Sequence, residues 1–305
     1  AEIRLYPLDA QGLEDDVAEF VQSIKKRRRQ TRELAEVLYK RLLRPMQASI
    51  AGRDLLIVPH GSLHYVPFAA LHDGERYLVQ GRALRYLPSA MLLGLLPQPG
   101  SKAAGAPVQR LLILGNPDLG KAELDLPASQ EEARAVQGWV ANNSERAVRE
   151  AAAESRSKER AFDFSHIHVA SHGEFSADAP LDSRLRLAAD AKNDGVLSVS
   201  EIYGLRLNAQ VVMLSACETG LGRVSSGDDV VGLTRGFLYA GAQNVVGSLW
   251  EVDDDATSAL SQAMYDGLKK GLPVAKALAL AQEQLLAKKP HPFFWAAFLD
   301  SGTGR

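Results

Sequence analysis

Two short strings carry the residue types that do chemistry: VASHGE around His172 and MLSACETG around Cys217. The first supplies an imidazole. The second supplies the one thiol among 305 residues, 45 positions further on. A free thiol has a pKa of about 8.5, so only a few per cent of it is thiolate at neutral pH. An imidazole beside it takes that proton and can later give it to a leaving amine. The pair therefore has the parts of a thiol nucleophile with its own general base and acid. A lone cysteine closing an apolar run is also ordinary core filler, because free cysteine is among the most buried residue types. Against filler stands the matching form of the two strings: each is an apolar run that ends in small residues, where a strand leaving a buried sheet presents a side chain to a cleft.

The elements around them follow from periodicity. Apolar residues at spacings of three and four (Val17, Phe20, Val21, Ile24, then Leu34, Val37, Leu38, Leu42) predict helices between Gln11 and Ser49. The run Lys25-Lys26-Arg27-Arg28-Arg29 between them reads as a solvated helix face or turn rather than a binding patch. A short strand is expected at Ile3–Tyr6, a buried strand at Asp54–Val58 closed by Pro59, and an extended segment at Tyr77–Leu87. The Gly/Pro-rich stretch 97–107 reads as a linker or exposed loop. Beyond it, strands are expected at Arg110–Gly115, His166–Ala170, Val211–Leu214 and Asn244–Leu249. Helices are expected at Pro127–Val140, Glu145–Arg160, Val230–Tyr239, Ala256–Lys269 and Val274–Ala287. Continuous apolar strands alternating with amphipathic helices predict an α/β fold, with a mostly parallel sheet flanked by helices on both faces. In such sheets sites lie outside the carboxyl ends of the strands, and His172 and Cys217 both fall just past such ends. The division expected is an N-terminal strand and helical segment, 1–50, then one large domain, 51–305, with pseudo-halves around the 97–107 loop.

Composition excludes several classes. Net charge is −2, so nothing global points to nucleic acid or a membrane surface. Nor does any apolar run reach the roughly 18 residues of a membrane span. A single cysteine rules out an internal disulfide and fits a reducing, cytoplasmic setting. The chain lacks G-x-x-x-x-G-K-[ST] and G-x-S-x-G, so neither a phosphate loop nor a serine-hydrolase elbow is expected, and no cofactor is called for. His166, His168 and His172 share parity along an extended strand, and an HxH step can bind zinc. No further ligand follows at close spacing, so no metal is expected. Trp250, Trp295, Phe293 and Phe294 read mainly as core. The first residue is Ala, so what precedes it is not visible in the sequence.

The same strings, with GVLSVSEIYGLRL, GDDVVGLTRGFLYAGAQNVVGSLWEVDDDAT, HPFFWAAFLDSG and the earlier DLLIVPHGSLHYVPFAAL and RYLPSA, closely resemble the CHAT family of caspase-like peptidases, which is also similar to separase. The resemblance runs in order from about Leu55 to Gly302. It implies a caspase-like fold, a His172–Cys217 dyad, and backbone N–H groups of Gly173 and Cys217 as an oxyanion hole. Donors of that kind stabilise charge that develops only in the transition state, each contributing roughly 10²–10³ in rate.

Departures bear on the substrate. Some relatives that cut after basic residues carry an acid two positions before the cysteine; here that position is Ser215, so that source of basic specificity is missing, and Ser215 itself is expected to contact the substrate. By alignment of the LW segment, Asp254 resembles the acid that pairs with a substrate arginine in separases, with Asp253 as capping support, although both also suit a helix start. Asp228 and Asp229 read mainly as helix-start residues. The resemblance implies a protein substrate cut at few sites and control by a regulatory protein or an upstream repeat region. Two other readings stay open: a non-catalytic signalling scaffold on the same fold, and a metal-dependent hydrolase built on the histidine strand.

Overall fold

The computed structural model describes residues 3–95, 109–139, 143–174, 179–215, 217–218 and 229–303. The chain enters through two antiparallel helices, α1 (Leu13–Lys25) and α2 (Thr31–Leu42), then a single turn, α3 (Gln47–Ile50). Val17, Phe20, Val21 and Ile24 are all buried, as their spacing requires, whereas Val37 turns out to solvent. The basic run is the turn between α1 and α2. Within it Arg27 takes a positive φ and lays its guanidinium over the Phe293 ring, 4.1 Å from the centroid.

The strands are, in chain order, β1 (Leu55–Ile57), β2 (Leu84–Tyr86), β3 (Leu111–Pro117) and β4 (Ser144–Arg149). They continue with β5 (His166–Ala170), β6 (His172–Glu174), β7 (Arg184–Arg186), β8 (Val196–Ser198), β9 (Val211–Leu214), β10 (Cys217–Glu218), β11 (Asn244–Ser248) and β12 (Phe298–Gly302). Between them lie α4 (Pro127–Trp139), α5 (Glu154–Arg160), α6 (Val199–Ile202), α7 (Asp229–Tyr239), α8 (Asp254–Lys269) and α9 (Val274–Lys288).

Eight strands form one sheet in the order β1-β2-β12-β11-β9-β5-β3-β4. All neighbours are parallel except β11 and β12. Side chains of the central strands alternate between two cores. Leu111, Ile113, Val211, Met213 and Val246 pack under α1, α2, α4, α8 and α9. Leu112, Leu114, Val212 and Val245 pack on the other face, against α6 and α7. A strand buried on both faces must be apolar throughout, which is why β3, β5, β9 and β11 fall where their hydrophobic runs put them.

Four expectations are corrected. Ile3–Tyr6 is irregular chain tied down by Tyr6 and Ser49, whose hydroxyls are 2.7 Å apart, and is no strand. β1 is a half-buried edge strand rather than a core one. The stretch expected as one helix, 145–160, is the strand β4 followed by the shorter α5. At the sheet's other edge β4 can keep charged residues on its open side, so its sequence mimics a helix. β2 is only the end of the extended segment expected from Tyr77. The 97–107 stretch lies outside the described residues.

A second, smaller sheet has the order β10-β6-β7-β8. It hangs from the carboxyl ends of β5 and β9, which feed into β6 and β10.

Candidate active site

β5 ends at Ala170, and Ser171 turns the chain by giving its hydroxyl to the Arg186 carbonyl. His172 follows as the first residue of β6. The imidazole is half-buried and its Nε2 lies 3.0 Å from the carbonyl oxygen of Leu124, just ahead of α4. A carbonyl only accepts, so in this pair Nε2 carries the proton, and the neutral ring keeps its lone pair on Nδ1.

β9 ends at Leu214, and Ser215 extends the ladder one step further by donating its N–H to the Val169 carbonyl at 2.8 Å. Two positions on, Cys217 is the parallel register partner of His172, and Glu218 is the partner of Gly173. The two residues singled out by type and spacing thus occupy one register position, on neighbouring strands about 4.8 Å apart. Gly173 is buried and also pairs with Leu185 across β7. Glu174, next along β6, meets Arg184 at 2.6 Å.

Against Ser215, two positions before Cys217, lies a residue that the sequence does not single out. Glu132, in the second turn of α4, is only 5% exposed. Its carboxylate accepts hydrogen bonds from Ser215 Oγ at 2.9 Å and from Ser261 Oγ of α8 at 2.8 Å. His168 Nε2 stands 3.3 Å from it, while His168 Nδ1 faces the Tyr265 hydroxyl at 3.2 Å. The available signal was a single acid on the buried stripe of α4, one residue from Ala133 and one turn from Val136. Ser215, taken as a substrate contact, is itself nearly buried against this carboxylate.

The shared parity of the three histidines does not survive. His166 and His168 lie on β5, but the chain changes sheets before His172. His166 sits beside the Ser165 hydroxyl, and burial pushes its pKa down to about 4. Among the described residues no three His, Cys, Asp or Glu side chains are grouped as a metal would need.

The acids after β11 divide their roles. Asp253 is the N-cap of α8, accepting from the Ala256 N–H at 3.1 Å, and pairs with Lys289 Nζ at 2.8 Å. That lysine, helped by the cap bond, holds the Asp253 carboxyl below its ordinary value. Asp254 opens α8 on an exposed surface. Its pKa is raised, first by partial burial and then by the charges of Asp253, Glu132, Glu251 and Asp255. Trp250 and Trp295 are core residues, as expected, and Trp250 Nε1 donates to the Phe293 carbonyl. Asp229 begins α7, and Asp228 lies outside the described residues.

A mostly parallel sheet, covered by helices on both faces and carrying a histidine and a cysteine side by side past its carboxyl ends, is a caspase-like α/β fold. Gingipain R, an Arg-specific cysteine proteinase, superimposes with a TM-score of 0.51 over 97% of this chain and 76% of that one, at 9% identity. Separase in the Saccharomyces cerevisiae separase–securin complex superimposes with a TM-score of 0.51 at 15% identity, over 79% of this chain and 15% of that one. At such identities the likeness is one of fold. The chain belongs to the CHAT family, whose domain matches residues 32–303. It is also similar to tetratricopeptide repeat protein 28 of Mus musculus (27% identity over 323 residues) and of Homo sapiens (26% over 322). It spans 13% of the length of those relatives.

Proposed function

We propose that this chain is a cysteine endopeptidase domain that cuts a protein substrate at few sites. The observation that carries the reading is the register pairing of His172 with Cys217, together with the Leu124 carbonyl on His172 Nε2, which leaves Nδ1 as the basic nitrogen. In the proposed reaction His172 Nδ1 takes the Cys217 thiol proton as the sulfur attacks the scissile carbonyl. The carbonyl oxygen becomes an oxyanion, and the N–H groups of Gly173 and Cys217 are its donors. Collapse of this intermediate breaks the C–N bond, and His172 gives its proton to the leaving amine. Water, deprotonated by His172, then hydrolyses the thioester, and the thiol returns.

For the substrate we favour a basic P1 side chain paired with Asp254, with Asp253 holding the start of α8 in place and Ser215 as a further contact beside the nucleophile strand. The Asp254 pKa is raised first by partial burial and then by the charges of Asp253, Glu132, Glu251 and Asp255, and it is this gathered negative charge that supports the reading, since it favours an incoming cation. Control by a regulatory protein or an upstream repeat region is part of the proposal, supported by relatives that are named for such repeats and are far longer than this chain.

The test is cleavage of a peptide library by the parent chain, Cys217→Ala and His172→Ala, with and without a thiol alkylator or a chelator. Loss of cleavage in both variants and under alkylation, but not with chelator, is expected. Full activity of Cys217→Ala would overturn the reading. Loss in chelator restored by zinc would favour metal-dependent hydrolysis instead.

A further inference from the structure

We propose that Glu132 is a positioning residue for the thiol: it anchors the end of the nucleophile strand, through Ser215, to α4, the helix that follows directly on the turn holding the histidine. The proposal rests on the cysteine peptidase reading above.

The segment from Leu124 to Glu132 touches the histidine of the dyad and the residue two positions before its cysteine. At its start the Leu124 carbonyl holds His172 Nε2 at 3.0 Å. Two turns later the Glu132 carboxylate holds Ser215 Oγ at 2.9 Å, two residues ahead of Cys217. The Ser215 backbone N–H is bound to Val169 of β5 at 2.8 Å. Ser215 is thus fixed twice, once to the strand that leads to the histidine and once to the helix beside it. Side chains that must meet within a few tenths of an ångström are held best by groups whose own positions are locked.

A carboxylate is an unusual choice for this task if packing alone were at stake. Burying a charge is costly, and an apolar residue of similar volume often serves stability as well or better. What a carboxylate adds is direction. It accepts several hydrogen bonds at once, and bonds to an ionised acceptor are short and strong. Here the donors come from two elements, Ser215 beyond β9 and Ser261 on α8, and α4 supplies the acceptor. His168 on β5 faces the same carboxylate at 3.3 Å, with Tyr265 of α8 behind it, and the Asp254 carboxyl senses its charge from the start of α8. Four elements of the large sheet and its helical layer therefore meet at one acid, which holds the residue two positions before the proposed nucleophile.

The test needs no knowledge of the substrate. Because the chain has one cysteine, iodoacetamide uptake by the whole chain, followed by mass, reads Cys217 alone. Its rate is measured from pH 5 to 9 for the parent, His172→Ala, Glu132→Ala, Ser215→Ala and Ser261→Ala, with Tm as a check on folding. In the parent, His172 should shift the profile below that of a free thiol. Glu132→Ala and Ser215→Ala should each move it back towards about 8.5, slowing alkylation at pH 6.5 about tenfold for each unit recovered. Ser261→Ala cuts the same carboxylate away from α8 only, and should lower Tm while leaving the profile within about twofold. Should Glu132→Ala fail to fold, Ser215→Ala decides the matter, because it removes one hydroxyl and no charge. A folded Ser215→Ala with the parent profile overturns the positioning role, provided His172→Ala shifts it. Equal shifts in all three variants, in proportion to their loss of Tm, overturn it too, since general loosening would explain them. A His172→Ala profile identical to the parent overturns the dyad reading and the positioning role with it.

Discussion

Replacing Asp300 by Asn should stabilise the protein at neutral and alkaline pH and do nothing in acid. Asp300 lies in β12 opposite Val246 and is 1% exposed. Neither carboxyl oxygen has a hydrogen-bond partner among the described residues. Burial pushes its pKa from 3.8 up to about 7, and the Arg85 guanidinium offsets only part of that. The folded state therefore prefers the protonated acid, while the unfolded chain ionises at about 3.9. Below both values the acid is neutral in either state and costs nothing extra. As the pH rises from about 4 to 7 the unfolded state gains stability through an ionisation that the folded state resists, so folding stability falls across that window. A shift of about three units corresponds to up to about 4 kcal/mol. Asn keeps the shape and never ionises. Urea unfolding of both proteins at pH 3, 6 and 8 should give curves that coincide at pH 3 and separate progressively above it, with Asp300→Asn the more stable. Parallel curves, or a parent that is the more stable at pH 8, would refute the reasoning and imply that Asp300 has found a partner for its charge.

Asp254→Ala should lower kcat/KM for peptides with Arg or Lys at P1 by at least about tenfold, or about 1.4 kcal/mol. Loss of a mere helix-start charge would cost about 0.3–1 kcal/mol of stability and leave P1 preference untouched. The same basic preference should fade in acid, at a pH above the usual 3.8 of an aspartate because the Asp254 pKa is raised. Cleavage profiles at pH 5 and 7.5 check this. Asp253→Ala should cost about 1 kcal/mol through the lost cap. Its depressed pKa makes that contribution present above 3.8 and lost as the pH falls from there through the lower folded value. Unfolding curves at pH 7 and pH 3 should differ accordingly. Addition of a candidate regulatory protein or upstream repeat region should raise turnover, and equal, high turnover with and without it would refute such control.

Four central strands were legible because burial on both faces leaves a run of apolar residues with no other explanation. The same logic exposed His172 and Cys217, whose places just past β5 and β9 follow from the run lengths. Edges were harder. β4 sets Glu145 and Arg146 side by side and then Ala147 and Val148, with only Ala147 fully buried at the sheet's edge, and that pattern lacks the period of a strand and resembles a helix. β12 runs against the parallel order, at the end of an aromatic-rich segment that reads as core of any kind. The second sheet escaped altogether, since strands of two or three residues carry no period. Its existence also undid the shared parity of His166, His168 and His172. Glu132 was hidden for a different reason: a helix of ordinary charged composition does not reveal which of its acids faces inward until the partners Ser215 and Ser261, 83 and 129 residues away, are brought to it.

The small sheet has a consequence for how such a protein can be governed. His172 and Cys217 are joined by a pairing only two residues long, set outside the eight-stranded sheet. Opening so short a ladder breaks few backbone hydrogen bonds and exposes little core, so it draws on the low end of the molecule's range of local stabilities. The pairing of β6 with β10 can thus open more readily than the large sheet, even though β7 and β8 share a core with it. A binder on the small sheet can raise or lower the fraction of molecules with the pair assembled, and it moves the global melting point only through its own binding free energy. Amide exchange at Gly173 and Glu218, and not thermal denaturation, is where such governance would register.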